Sequence, residues 1–233
     1  MLQKYFFTSP TAARVAPLVI FVLLTSLQGH FGAASAYWFY LAKTLVGAWL
    51  IFEMRPFVSE MRWACSWEAV AVGIGIFLLW IGISGEWTTQ NSLWVKLGLS
   101  HATKSSDSIW DPQVQFGGYS TLVWFFLAVH VLGMTFVVPP LEEVFYRSFI
   151  YRYIASPDFL SVPLNRFVPL PFFATAAVFG FSHNEWLAGI LCGAAYQWLV
   201  LRKNRLGDAM TAHALTNFLL GSWVVWKHAW NFW

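Results

Sequence analysis

Three groups of polar side chains with catalytic potential interrupt hydrophobic stretches in the second half of this sequence. The groups are, in chain order, Glu142, Glu143 and Arg147; His183; and His213 and Asn217. A charged side chain at the centre of a membrane helix costs about 2.5–3.5 kcal/mol on insertion scales. Such residues usually face a protein interior, and they often mark a functional site. The three groups are therefore the candidate site.

The spacing of the first group assigns different roles to its two carboxylates. Successive residues of an α-helix advance by about 100°. Glu143 and Arg147 are four residues apart, so they share a helix face and can form an ion pair. Glu142 lies roughly 140° around the helix from Arg147, and its carboxylate is the one left for chemistry. The alternative is a structural ion-pair cluster in which Glu142 is only solvated in a polar cleft.

Together the three groups could hydrolyse a bond. A desolvated carboxylate such as that of Glu142 can act as a general base toward water, and His183 could hold that water or pass on its proton. His213 and Asn217 are four residues apart and leave one helix face, so both could donate to a developing oxyanion. The sequence places no serine or cysteine nucleophile beside a base, and it has no H-E-x-x-H motif.

The composition is typical of a multi-pass membrane protein. Of the 233 residues, 58% are hydrophobic and only 11% are charged, and the mean hydropathy is +0.56. We therefore expect one integral membrane domain, residues 1–233, in contact with the lipid bilayer. The net charge of +3 gives no reason to expect a nucleic-acid partner. Cys65 and Cys192 are interpreted as packing residues.

The hydrophobic runs predict an all-α fold, a polytopic transmembrane bundle of about eight helices. The predicted helices cover residues 17–27, 36–52, 68–84, 119–138, about 140–154, 167–182, 186–201 and 207–226. Pro139 and Pro140 are predicted to end the fourth helix and to begin a short fifth one. Residues 85–118 are predicted to form an extramembrane loop with a short helix at 94–99. The basic loops share one side of the membrane only if the fifth helix is re-entrant.

The three groups resemble the motifs of a known protease family. The patterns are Glu142-Glu143-x-x-x-Arg147, Phe179-x-x-x-His183 and His213-x-x-x-Asn217. In this order, on separate hydrophobic segments, they resemble the CPBP family of CAAX proteases and bacteriocin-processing proteins. This family, also called Abi, includes the type II CAAX prenyl endopeptidases. The similarity covers the motif-bearing core, residues 119–226, and is greatest to the CAAX protease-related proteins that accompany bacterial exosortase systems.

The resemblance implies an intramembrane endopeptidase that cleaves a peptide or protein substrate in the membrane, without a cofactor or bound metal. Glu142 would activate water with help from His183, and His213 and Asn217 would form the oxyanion hole. Glu143 and Arg147 would support the site. In a bacterium the expected location is the cytoplasmic (inner) membrane.

Three other functions remain open on the sequence. A metal-dependent peptidase could use Glu142, His183 and His213 as ligands, because two histidines and a carboxylate can hold zinc. An immunity or scaffold protein of the same family could keep these residues without catalysis. A small transporter would also place Glu, Arg and His within the membrane, although the chain has no repeat between its halves.

Overall fold

A computed structural model describes residues 9–99, 110–118 and 120–233, and within these ranges the chain forms nine helices and no strand. The helices are α1 (Pro10–Ser26), α2 (Ser35–Met54), α3 (Trp67–Ile83), α4 (Gln90–Lys96), α5 (Pro112–Phe116), α6 (Thr121–Ala155), α7 (Pro169–Phe181), α8 (Trp186–Lys203) and α9 (Gly207–Lys227). Residues 100–109 of the predicted loop, and Tyr119 at the start of the predicted core, lie outside the described residues. The predicted all-α class is confirmed.

Local capping residues explain where several helices begin and end. Ser9 and Ser66 precede α1 and α3, and their hydroxyls accept hydrogen bonds from the backbone of the first turn. The carboxylate of Asp111 does the same for α5. Asn204 ends α8 in the left-handed conformation, with φ of 51°.

One helix of the described residues, α6, is long and apolar enough to cross a membrane. Its most apolar 18-residue window has a mean hydropathy of 2.1. Three shorter helices, α1, α3 and α7, are also apolar but have only 13–17 residues. The transmembrane bundle of about eight helices, with its several crossings, therefore stays a prediction.

The predicted helix break at Pro139 and Pro140 is wrong, because α6 continues through both prolines. The stretches Gly133–Val137 and Val144–Ile150 are π-helical, and the α-helical stretch between them contains the prolines. In the first wide turn the backbone N–H of Val138 donates to the carbonyl of Gly133, five residues earlier. Such local widening lets an apolar helix accommodate prolines. The prediction took account of the N–H groups that the two prolines lack. It did not include a π-helical turn, in which hydrogen bonds span five residues instead of four.

The described helices divide into two compact units, and the division falls within α6 and within α9. The first unit contains α1, α2, α5, α6 up to Glu142, and α9 from Asn217. The second contains α3, α4, α6 from Glu143, α7, α8, and α9 up to Thr216. The single domain 1–233 and the core 119–226 stay predictions. The short helix expected at 94–99 lies earlier, as α4.

Small residues let α7 and α8 pack closely in the second unit. A Cβ added at Gly189 would lie 2.8 Å from the Cα of Gly180, so the two backbones touch. A Cβ at Gly193 would lie 3.1 Å from the Cα of Ala176. Small residues four apart on facing helices are a common way for helices to approach in membranes. The close packing brings the α8 backbone within reach of side chains from α6.

In the first unit, α2 packs against α1 and the first half of α6. A Cβ at Gly47 would lie 3.1 Å from the Phe21 ring of α1, and one at Gly133 would lie 2.8 Å from the Thr44 hydroxyl of α2. His130 of α6 is buried and stacks on Tyr40, with ring centroids 4.1 Å apart. His130 therefore packs among aromatic side chains within the first unit.

Candidate active site

Glu143 is the centre of a buried ionic network in the second unit. Its Oε1 lies 2.9 Å from Nδ1 of His213, and its Oε2 lies 3.1 Å from Nε of Arg147. The side chains of Glu143 and Arg147 have no exposed surface, and that of His213 is 4% exposed. The ion pair predicted from the four-residue spacing is therefore present. A buried charge is tolerated when charged and hydrogen-bonding partners compensate its desolvation.

Two further contacts fix the guanidinium of Arg147. Its Nη2 donates to the backbone carbonyl of Gly193 over 3.2 Å. Its Cζ lies 4.4 Å from the ring centroid of Phe179, a cation–π contact with α7. The carbonyl contact depends on the close approach of α7 and α8, because Gly193 is one of the small residues between them. Arg147 thus connects the motif helix α6 to both neighbouring helices.

The imidazole of His213 is oriented on two sides. Its Nδ1 faces the Glu143 carboxylate, and its ring stacks on Tyr196 with centroids 5.1 Å apart. The Tyr196 hydroxyl in turn donates to Oγ1 of Thr216 over 2.8 Å. An ionised carboxylate only accepts hydrogen bonds, so Nδ1 carries the proton in neutral His213. Its Nε2 then becomes a donor only when His213 is the doubly protonated imidazolium.

His183 lies two residues beyond the end of α7, with its side chain half-buried. Its Nδ1 is 2.8 Å from the carbonyl oxygen of Phe179. Because a carbonyl only accepts, Nδ1 carries the proton and Nε2 carries the lone pair. Burial and the positive charge of Arg147 lower the pKa of His183, and the Phe179 carbonyl partly opposes this shift. Neutral His183 can therefore accept a proton or a hydrogen bond through Nε2.

The ring of Phe179 brings the two histidines together. It is fully buried, and its centroid lies 4.7 Å from that of His183 and 6.0 Å from that of His213. Arg147 approaches the same ring. Three of the six predicted residues, Arg147, His183 and His213, thus meet around one aromatic side chain of the second unit. Glu143 joins them through its contacts with Arg147 and His213.

The other two predicted residues, Glu142 and Asn217, belong to the first unit. Glu142 is half-buried. The side-chain Nδ2 of Asn217 donates to the backbone carbonyl of Met134 over 2.7 Å. This bond uses one of the two N–H groups of the Asn217 amide, which leaves the second for a different acceptor. That Glu142 and Asn217 join the two histidines in one cavity stays a prediction.

Three residues that support the site, Phe179, Tyr196 and Gly193, were not predicted as site residues. Phe179 was part of a motif but was given no role in the predicted site. Tyr196 and Gly193 lie on α8, and no local pattern distinguishes them from packing residues. In the part of the chain that the structure describes, no group of three or more His, Cys, Asp or Glu side chains is placed to hold a metal ion.

A comparison with known protein families supports the resemblance inferred from the three motifs. Residues 123–219 match the family model described as type II CAAX prenyl endopeptidase Rce1-like. The matched segment is less than half of the chain, but it includes all six predicted site residues. No curated protein and no solved structure gives a significant match. Members of this family are membrane proteases. Through residues 123–219, the chain is therefore similar to the Rce1-like family of type II CAAX prenyl endopeptidases.

Proposed function

We propose that this protein is an intramembrane endopeptidase that hydrolyses a peptide bond of a membrane-associated peptide or protein. One observation carries the proposal: the buried network of Glu143, Arg147 and His213 shares the Phe179 ring with His183. This arrangement lies in the segment that matches a protease family. The imidazoles of His183 and His213 are both held in a defined orientation near the buried ion pair. Such groups can transfer protons and stabilise an oxyanion.

In the proposed mechanism, Glu142 takes a proton from a water molecule whose other proton is held by the Nε2 lone pair of His183. The oxygen of this water attacks the carbonyl carbon of the substrate, and the carbonyl oxygen becomes an oxyanion. Imidazolium His213 donates to that oxyanion through Nε2, while the Glu143 carboxylate stabilises its positive charge, much as a carboxylate orients the histidine of a catalytic triad. The second N–H of Asn217 is the other donor.

Collapse of the tetrahedral intermediate completes the reaction. The carbon–nitrogen bond breaks, and protonated Glu142 gives its proton to the leaving amine. Glu142 is thereby returned to its carboxylate form, and one water molecule has been consumed per bond. Glu143 and Arg147 take no part in these transfers, and their role is to fix the position and charge of His213.

The finer placement is also part of the proposal. Assignment to the CPBP or Abi group, and within it to the exosortase-associated proteins, rests on the motifs alone. The same holds for several membrane crossings and for the bacterial inner membrane. A non-catalytic immunity or scaffold protein is the alternative from a different functional class, and a metal-dependent peptidase is the alternative within the same class.

Glutamate-to-glutamine variants at two positions test the proposal. Glu142→Gln keeps the size of the side chain but removes the base, and loss of a general base typically costs about 10²–10⁴-fold in rate. Glu53→Gln is the matched control, because Glu53 is a half-buried carboxylate near the end of α2. The assay measures cleavage of a fluorescence-quenched peptide library by purified protein in lipid vesicles, together with the melting temperature.

We expect Glu142→Gln to melt as the wild type does and to lose cleavage, while Glu53→Gln keeps both properties. Equal cleavage by wild type and Glu142→Gln would refute the assigned role of Glu142. Absence of cleavage by the wild type, with normal folding, would favour the scaffold. Cleavage that a chelator abolishes and zinc restores would favour the metal-dependent peptidase.

A further inference from the structure

The turn that carries His183 is bound by a short segment from a distant part of the chain. Residues 88–90 lie at the start of the stretch predicted as an extramembrane loop, and Gln90 is the first residue of α4. They contact residues 181–185, which comprise the last residue of α7 and its connection to α8. Both segments belong to the second unit.

Gln90 makes the most contacts in this interaction. Its side-chain Nε2 donates to the carbonyl of Phe181 over 2.6 Å and to that of His183 over 2.7 Å. Its backbone N–H donates to the carbonyl of Asn184 over 2.9 Å. Two carbonyl acceptors face the same amide, so both N–H groups of its nitrogen are used. One residue therefore supplies three donors to three nearby carbonyls.

The neighbours of Gln90 strengthen the same connection. The hydroxyl of Thr88 donates to Oε2 of Glu185 over 2.9 Å, and Thr89 pairs with Glu185 as an antiparallel bridge. Thr88 is fully buried. The last carbonyls of a helix have no partner within that helix, so α7 needs such donors at its end. Here they come from a segment about 90 residues earlier in the sequence.

These contacts act directly on the geometry of His183. Gln90 binds its backbone carbonyl, the Phe179 carbonyl accepts from its Nδ1, and its backbone N–H donates to the carbonyl of Gly180 over 3.1 Å. The position of the backbone and the identity of the protonated nitrogen are thus both fixed. Without the side-chain amide of Gln90, the turn would lose two of these three donors, those to the carbonyls of Phe181 and His183.

We propose that Gln90 is a positioning residue for His183, which it holds with Nε2 presented as the lone-pair nitrogen. The inference rests on the proposed function, because it assigns His183 a part in the reaction. Misplacement of a catalytic group by about 1 Å can cost about 10²-fold in rate. We therefore expect loss of the Gln90 amide to lower kcat by about 10–100-fold, with little change in KM.

The test compares Gln90→Met with Gln113→Met. The first substitution keeps the length of the side chain but removes both amide donors, and the second is the matched control on α5 of the same long segment. Cleavage of the quenched peptide library gives kcat and KM. The imidazole nitrogen shifts of ¹⁵N-histidine-labelled protein report which nitrogen of His183 carries the proton, and a His183→Gln sample assigns that signal.

We expect wild type and Gln113→Met to show protonated Nδ1 at His183, and Gln90→Met to show averaging between the two tautomers together with the lower kcat. Unchanged His183 shifts in Gln90→Met would overturn the inference, even if the protein remains a peptidase. Changed shifts in a protein that cleaves nothing would support the positioning by Gln90 and refute the proposed function. A fall in kcat with unchanged shifts would assign Gln90 a different role.

Discussion

Removing the charge of Glu143 should destabilise the protein more than removing the base at Glu142. Glu143 and Arg147 are completely buried, and their carboxylate and guanidinium groups lie 3.1 Å apart. In Glu143→Gln the amide oxygen can still accept from His213, but the buried Arg147 loses its counter-charge. Breaking a buried pair from one side costs about 3–5 kcal/mol. For a chain of this length, each kcal/mol lowers the melting temperature by about 2–4 °C, so we expect a fall of about 6–20 °C.

A double variant tests whether the destabilisation comes from the unpaired charge of Arg147 or from any substitution at this buried position. Glu143→Gln combined with Arg147→Met removes both charges and keeps a side chain of similar length at residue 147. Replacing both members of a buried pair is often close to neutral. The double variant should therefore melt at a higher temperature than Glu143→Gln alone, although it gives up the contact with the Gly193 carbonyl.

The measurement is the loss of the monodisperse peak in size-exclusion chromatography after heating in detergent, for wild type, both single variants and the double variant. A double-mutant cycle then gives the coupling energy of the pair. A cost below about 1 kcal/mol for Glu143→Gln would match an exposed pair and would refute the argument from burial. Additive costs of the two single variants would refute the coupling itself.

Two further predictions concern the pH dependence of stability and the contact of Asn217 with α6. Because burial lowers the pKa of His183, the unfolded state binds more protons than the folded state below about pH 6.5, so stability should fall as the pH falls. His183→Gln should flatten this dependence of the melting temperature between pH 7 and pH 5, and an unchanged slope would contradict the assignment. Asn217→Leu removes the donor to the Met134 carbonyl and should cost about 1–3 kcal/mol of stability. An unchanged melting temperature with lost cleavage would instead indicate that Asn217 acts only on the substrate.

The Asn217 contact also explains why a helix can continue through two prolines. In the π-helical register, the carbonyl of Met134 would accept a hydrogen bond from the N–H of residue 139, but Pro139 has no N–H. The Asn217 amide occupies that carbonyl from α9. Both residues belong to the first unit. The proline pair and the asparagine are therefore best understood together, as a helix distortion with its compensating donor.

Local geometry decided what the sequence could predict. The pair of Glu143 and Arg147 follows from the repeat of one helix, and the all-α class follows from long apolar runs. The start of α3 at Trp67 and of α8 at Trp186 agree with the predicted 68 and 186 to within one residue. These features depend on neighbours within a few residues, which the sequence shows directly.

Tertiary structure decided the contacts between distant segments. His213 reaches Glu143 across 70 residues, and Gln90 reaches the His183 carbonyl across 93. The continuity of α6 likewise depends on a π-helical turn and a donor from another helix, which a rule about proline alone does not contain. No periodicity encodes such pairs, because each hydrogen bond exists only after packing has brought its two atoms within about 3 Å. The sequence therefore determined which residues could do chemistry, and the packing of the second unit determined how both histidines are oriented.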